Sequence, residues 1–422
     1  MTPKIVTTLK SYSWPQFHAD LFAGITVALV AIPLSLAIAI ASGASPAQGL
    51  ITAVVGGFVV SALGGSRVQI GGPTGAFIVV VYDVIATHGY DGLVLATFMA
   101  GLILLVAGYL RIGNLIAHVP EPVINGFTLG IAIIIATSQL KDFLGLTAPG
   151  LPADFIDKIA VLWAARSTLN PWALGIGLAT VGFIVGLRRL LPRRWPSLIV
   201  AVAAASALAA LPGLGVDTIG ARFGALPSSL PMPHLPAISI EQIRTLLPSA
   251  FVIAFLAGIE SLLSAVVADR MIGGRHRPRA EVVAQGAANL SSALFGGLPV
   301  TGAIARTATN IRSGGRTPVA GIVHALSILL VLLVAAPLAG LLAMPAMAAL
   351  LIVTAWNMSE PDKWRGYMRA SGADRLLLAV TLLLTVLVDL TVAIGVGVAL
   401  GLALRLRDRA ARAADDWTPR DH

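Results

Sequence analysis

Two residues of this chain carry charge where their neighbours are apolar. Arg306 lies in Thr301-Gly-Ala-Ile-Ala-Arg306-Thr-Ala-Thr-Asn310, and Glu260 lies in Ile253-Ala-Phe-Leu-Ala-Gly-Ile-Glu260-Ser-Leu-Leu-Ser264. A charged side chain at the centre of a bilayer costs at least ~2.5 kcal/mol unless paired, so both positions are candidates for function. Two stretches, Gly71-Gly-Pro-Thr-Gly-Ala76 and Gly297-Leu-Pro-Val-Thr-Gly-Ala303, each open a span that is short for crossing a bilayer. Gly and Pro there predict an extended segment followed by a helix that starts near the membrane midplane. Each such start presents unpaired N–H groups and about half a positive charge, so two of them face to face favour an anion without any cationic side chain. The candidate substrate site therefore comprises Thr74, Gly75, Ala76 and Phe77 with Gly302, Ala303, Ile304, Ala305 and Arg306. Ser35 and Ile38, which follow the helix-distorting Pro33, are expected to line the same cavity. The same Gly and Pro residues are also compatible with close helix packing alone.

Arg306 has two readings: it adds positive potential for an anion, or it is a structural arginine paired with a carboxylate or carbonyls. Glu260 and Ser264, one turn apart on one helix face, form the candidate coupling pair. A proton on Glu260 removes a repulsive charge when an anion binds, which links the two thermodynamically as symport. A permanent Glu260 to Arg306 ion pair is the alternative. It would hold the fold and leave transport uncoupled or exchanging. Asp83 and His324 are read as a water-facing or partnered acid and a packed or hydrogen-bonded histidine.

The elements that must position these residues are membrane helices. The chain has 422 residues, 57% hydrophobic and 12% charged, against about 25% charged in soluble proteins. A large soluble enzyme is excluded. Breakers divide the apolar runs into fourteen segments near 20–42, 49–64, 73–87, 92–109, 121–140, 172–190, 197–212, 248–268, 281–296, 302–312, 317–341, 345–357, 374–389 and 390–406. With the N-terminus inside, Lys141, Lys158, Arg166, Arg222 and Arg244 fall outside, Arg306 falls within a span, and the other 23 of the 29 Lys and Arg fall inside. That is a positive-inside distribution, so the net charge of +9 orients loops and nucleic acid is not an expected partner. The absence of Cys excludes disulfides and thiolate sites, and no metal or cofactor motif is present.

The two halves share a layout. Pro33 to Pro73 spans 40 residues and Glu260 to Pro299 spans 39. Seven spans per half is an odd number, so the second copy must be inverted, and a Gly/Pro-broken short span at matched positions points to the binding site of a secondary transporter. Residues 141–171 and 213–247, with amphipathic stretches Asp154 to Ala165 and Ile240 to Leu247, read as external interfacial linkers.

At these residues the chain resembles the SulP anion transporters, the sulfate permeases whose animal relatives include pendrin and prestin. The similarity covers about residues 15–410 and rests on Asp20-Leu-Phe-Ala-Gly24 with Ile32-Pro33, on Gly65-Ser-Arg67 through Ile70-Gly-Gly-Pro-Thr74, and on Pro299 through Thr307 with Ser313-Gly-Gly-Arg-Thr317. The resemblance implies an all-α polytopic membrane protein with 14 transmembrane segments in a 7+7 inverted repeat, the uracil permease-like fold, in which spans 3 and 10 are half-helices after extended stretches. It also implies an elevator movement of a core past a gate. The divisions are 1–19 cytoplasmic N-terminus, 20–118 and 248–340 core, 119–247 and 341–410 gate, and 411–422 cytoplasmic tail. Members usually continue into a STAS domain, which this sequence lacks, as a natural short form or a truncation. The sequence departs from the family at Ala305, where a serine is usual, and at Leu34, where a glutamine is usual.

The function read from these residues is a secondary active transporter of a small anion (a dicarboxylate such as fumarate, sulfate or bicarbonate), coupled to protons. The competing readings are an uncoupled anion channel or an exchanger of the same fold, a nucleobase carrier, which Arg306 disfavours, and a membrane-embedded enzyme, for which no catalytic motif is found. The expected partners are the anion, protons, the lipid bilayer and a second copy in a homodimer. The expected location is the bacterial cytoplasmic (inner) membrane, with both termini cytoplasmic.

Overall fold

The computed structural model describes residues 2–110, 120–148, 150–191, 196–211, 214–388 and 390–415. Asp389 at the expected boundary between the last two segments, Arg193 and Arg194, the 118/119 division and the tail from residue 416 lie outside them. Helices begin where capping residues precede apolar runs. Ser13, with Gln16 returning a bond to its backbone N–H at 3.0 Å, opens α1 (Trp14–Ala41), and Ser45 with Gln48 opens α2 (Pro46–Leu63) in the same way at 2.7 Å. The extended pair β1 (Gly71–Gly72) and a 3₁₀ turn at Gly75–Phe77 lead into α3 (Ile78–Tyr109). The run labelled α3 is two helices that meet at Gly89, whose φ of 71° and ψ of −179° are not helical, and this break falls between expected spans 3 and 4. Next come α4 (Glu121–Leu144), the linker helix α5 (Phe155–Ala164) capped by Asp154, α6 (Pro171–Leu190) and α7 (Ser197–Ala209).

The second half opens with α8 (Ile240–Ile272), followed by α9 (Pro278–Leu294), β2 (Thr301–Gly302), α10 (Ile304–Arg312), α11 (Pro318–Gly340), α12 (Met344–Met358), α13 (Gly372–Leu387) and α14 (Leu390–Asp415). The stretch from Ile240 to Leu247, expected as part of a separate linker, is continuous with α8. Ser239 caps its start at 3.1 Å, and Pro248 removes one backbone bond without ending the helix. Seven helices among the described residues are long and apolar enough to cross a membrane.

Packing sorts the helices into two sets. Helices α1, α2, α3, α8, α9, α10 and α11 pack mainly against one another, while α4, α6, α12, α13 and α14 pack mainly against one another, with α7 against α6. Small residues permit close approach: a side chain at Gly24 of α1 would lie 2.6 Å from the Ala320 carbonyl oxygen of α11. Asp20, fully buried, ties the start of α1 to the start of α11 by accepting bonds from Arg316 N–H at 2.7 Å, Thr317 N–H at 3.1 Å, the Thr317 hydroxyl and the Tyr12 hydroxyl at 3.1 Å. Tyr12, outside the spans, has its hydroxyl pushed up to about 12 by burial and by the neighbouring Asp20 charge.

Candidate functional site

The backbone builds the centre of the site. β1 and β2 pair antiparallel, with Gly71 opposite Gly302 and Gly72 opposite Thr301, and Ala303 N–H donates to the Ile70 carbonyl at 2.8 Å. This pairing adds a two-stranded sheet to the all-helical expectation. Two extended stretches side by side in apolar surroundings have no water to bond, so their backbone groups satisfy each other. Each strand runs directly into a helix start, the first through Thr74 and the 3₁₀ turn, the second through Ala303 into α10. With nine residues, α10 is about 14 Å long, less than half of a ~30 Å hydrocarbon core.

Thr74, half-buried, donates its hydroxyl to Glu260 Oε2 at 2.7 Å. Gly75 is covered by the other packing set, since a Cβ there would lie 3.0 Å from Met358 Sδ and 3.5 Å from Ile135 Cδ1. Ala76 and Phe77 are buried in the apolar cluster that also contains Ile38. Gly302 and Ala303 are buried in the crossing, whereas Ile304 and Ala305 are exposed. Ser35 is fully buried with its hydroxyl unpartnered, in a helix that packs against α10. Ser264 is also buried, and its hydroxyl donates to Thr307 Oγ1 at 3.3 Å, joining α8 to α10.

Arg306 is 1% exposed. Its Nη2 donates to the Pro73 carbonyl, while Nε and Nη1 have no hydrogen-bond partner. Gly72 makes room for it: φ is +150°, and a Cβ there would run into Nη1 of Arg306. Among the described residues Glu260 and Arg306 form no direct ion pair; one engages Thr74 and the other Pro73. His324 is packed and fully buried, with neither ring nitrogen hydrogen-bonded. No group of three or more potential metal ligands occurs among the described residues.

The sequence reading missed the residues that hold the crossing in place. On α9, Glu281, Gln285, Asn289 and Ser292 are all fully buried. Glu281 accepts bonds from Gly65 N–H at 2.9 Å, Ser66 N–H at 3.2 Å, the Ser261 hydroxyl at 2.8 Å and Gln285 Nε2 at 3.0 Å. Asn289 makes bonds of 2.9 Å to both the N–H and the carbonyl of Val300, and Ser292 donates to the Leu298 carbonyl at 2.6 Å. The available signal was spacing: Glu281, Gln285 and Asn289 recur every four residues, a polar stripe on one face of an otherwise small and apolar helix.

The model described as the sulfate permease family matches residues 17–381. The chain belongs to that family. It is 43% identical over 379 residues to the putative sulfate transporter YvdB of Bacillus subtilis, covering 89% of this chain and 71% of that protein. It is 33% identical over 344 residues to the bicarbonate transporter BicA of Picosynechococcus sp., covering 79% and 60%. The chain thus spans 60 to 71% of the length of these two relatives. The solved transmembrane domain of a cyanobacterial BicA matches with a TM-score of 0.79 at 32% identity, over 91% of this chain and 98% of that one. SLC26A9 matches with a TM-score of 0.87 over 96% of this chain and 68% of that one, at 19% identity, a likeness of fold alone. The chain is a helical polytopic membrane protein of this fold, and its relatives are named as transporters, not as enzymes.

Proposed function

We propose that the chain is a secondary active transporter of a small oxyanion, with Glu260 coupling substrate movement to protons. The observation that carries this reading is Arg306: a buried guanidinium at the meeting point of two helix starts, with Nε and Nη1 left open. Buried N–H donors of a charged group are costly to leave unpaired, and an anion at the helix starts supplies the missing acceptors. Thr74, Gly75, Ala76, Phe77, Gly302, Ala303, Ile304 and Ala305 frame that position, with Ser35 and Ile38 on α1 beside it. Glu260, bonded to Thr74, is near enough for its protonation to be felt by the anion. Ser264 acts through Thr307 and holds α8 to α10.

The antiparallel crossing supports two inverted halves of seven spans, with α3 and α10 beginning as half-helices. The two packing sets support a core of residues 20–118 and 248–340 that moves against a gate of 119–247 and 341–410. Sulfate and bicarbonate, which name the relatives, and a dicarboxylate such as fumarate are the substrates proposed. The chain resides in the cytoplasmic membrane with both termini inside, as a homodimer.

The test is uptake of radiolabelled sulfate, bicarbonate and fumarate into proteoliposomes, with and without an inward proton gradient. Accumulation of one anion that requires the gradient is expected. Saturable exchange without accumulation would replace symport by exchange, and conductance far above carrier turnover would replace the carrier by a channel.

A further inference from the structure

Three of the five basic residues that the sequence places outside converge on one cavity remote from the crossing. It has a volume of about 210 Å³ and lies between the end of α1, Tyr82 of α3, Ser138 and Gln139 of α4, and the linker helix α5 that bears Lys158. At ~30 Å³ per water, the space holds about seven waters, room for a small oxyanion with part of its hydration shell. Lys141, Lys158 and Arg222 line it against a single carboxylate, Asp142. Arg222 is engaged by Asp142 at 2.7 Å and by Asp217 at 3.1 Å, and Lys141 donates to the Ala148 carbonyl at 2.9 Å.

Lys158 is different. It is 4% exposed, yet no carboxylate among the described residues lies within ion-pair distance of its ammonium. Its Nζ makes a long bond of 3.3 Å to Ser138 Oγ and lies 5.7 Å from the centre of the Tyr82 ring. An ammonium has three donors, and buried charges are ordinarily paired. Burial lowers the pKa of Lys158, partly opposed by Asp154. The cavity wall includes Ala41, one helical turn beyond Ile38 and about 9 Å beyond Ser35 along α1.

We propose that this cavity is a second anion site on the outer face, in which a small oxyanion of the sulfate or bicarbonate class docks on Lys158 Nζ and Ser138 before reaching the crossing. Arg222 is neutralised by Asp142 and Asp217, so the charge that attracts the anion is that of Lys158. The Tyr82 hydroxyl, bonded to the Leu151 carbonyl, joins α3 to the linker at the same place and encloses the site. The inference rests on the anion-transport reading for its physiological role, but occupancy of the cavity is measurable without transport.

The absence of cysteine from the chain makes occupancy directly accessible. Full-length Ser138→Cys protein in right-side-out vesicles is labelled with a membrane-impermeant methanethiosulfonate while external sulfate or bicarbonate is titrated. Sulfate or bicarbonate is expected to slow labelling in a saturable way at constant ionic strength, and Lys158→Met added to this variant is expected to abolish that protection. In uptake, Lys158→Met is expected to raise the external half-saturating concentration about tenfold or more with the saturated rate retained, because a hydrogen bond to a charged group is lost. Lys158→Arg is expected to restore it to within about threefold, since it keeps the charge. Inside-out vesicles are expected to show no change. Labelling insensitive to both anions, or Lys158→Met with unchanged external half-saturation in an active transporter, overturns the proposal. If the wild type moves no anion while protection persists, the transport reading fails and the site stands.

Discussion

The two segments that cross at the centre of this protein use one backbone device and differ in what their side chains add. In the first half, Gly71–Gly72 leads into Gly75-Ala-Phe-Ile-Val-Val-Val, an uncharged run with Phe77 2% exposed. In the second, Thr301–Gly302 leads into a helix whose inner side is polar, with Arg306, Thr307 and Asn310 all buried. Those three side chains meet the backbone of the first segment: Arg306 donates to the Pro73 carbonyl, Thr307 Oγ1 accepts from Ile70 N–H at 3.0 Å, and Asn310 donates to the Val68 carbonyl at 2.8 Å. The first segment does not reciprocate; Gln69 turns to Ser261 at 2.7 Å and Thr74 to Glu260, both on α8. Duplicating the backbone supplies the positive helix pole twice, whereas buried polar side chains must each be satisfied, and one set is enough to hold both strands. The paired backbone is the symmetric part of the candidate site, and the side chains of α10 that hold the first segment are its asymmetric part.

The strongest way to break this comparison is Gly72→Ala. It places an L side chain at φ +150° and drives Cβ into Arg306, and is expected to cost about 2–4 kcal/mol, read as a lower melting temperature in detergent and loss of uptake. An unaltered melting curve would mean that the clamp is loose. Next is Arg306→Ala, expected to raise the half-saturating anion concentration about tenfold to a hundredfold. Unchanged affinity with reduced stability would make Arg306 a clamp only. Glu260→Gln is expected to abolish proton-driven accumulation while anion binding stays within about threefold, because the amide still accepts from Thr74 but carries no proton to exchange. Accumulation against a gradient by this variant would remove Glu260 from coupling. The smallest effect is expected from Ala305→Ser, on the exposed side of α10: stability within about 0.5 kcal/mol, with a measurable change in the preference between sulfate and bicarbonate.

Much of the site was legible because its signals are local. Gly-Pro breakers announced both extended stretches, and Arg306 and Glu260 stood out against apolar neighbours. Other elements escaped for identifiable reasons. Ser264 shares a helix face with Glu260, yet its partner is Thr307, a choice made by how α8 packs on α10. The polar stripe on α9 was hidden because Glu281 begins the span and reads as an ordinary end-of-helix carboxylate. Several of the fourteen apolar segments fold as helices of 9 to 16 residues, α7, α10, α12 and α13.

The sequence by itself determined that this chain is a helical polytopic membrane protein and marked the two Gly/Pro stretches and the arginine among apolar neighbours, because hydropathy and breakers act through near neighbours along the chain. Only the tertiary structure decided that Gly71 pairs with Gly302, that Arg306 reaches Pro73 rather than Glu260, that Glu281 anchors Gly65 and Ser66, and that Lys158 lies buried beside a cavity at the end of α1. Each of those contacts except the last joins residues more than 200 positions apart, and Lys158 meets Tyr82 and Ser138 only across packed helices. Such partners are chosen by which buried groups remain to be satisfied once the helices have packed, and no spacing within one segment encodes that choice.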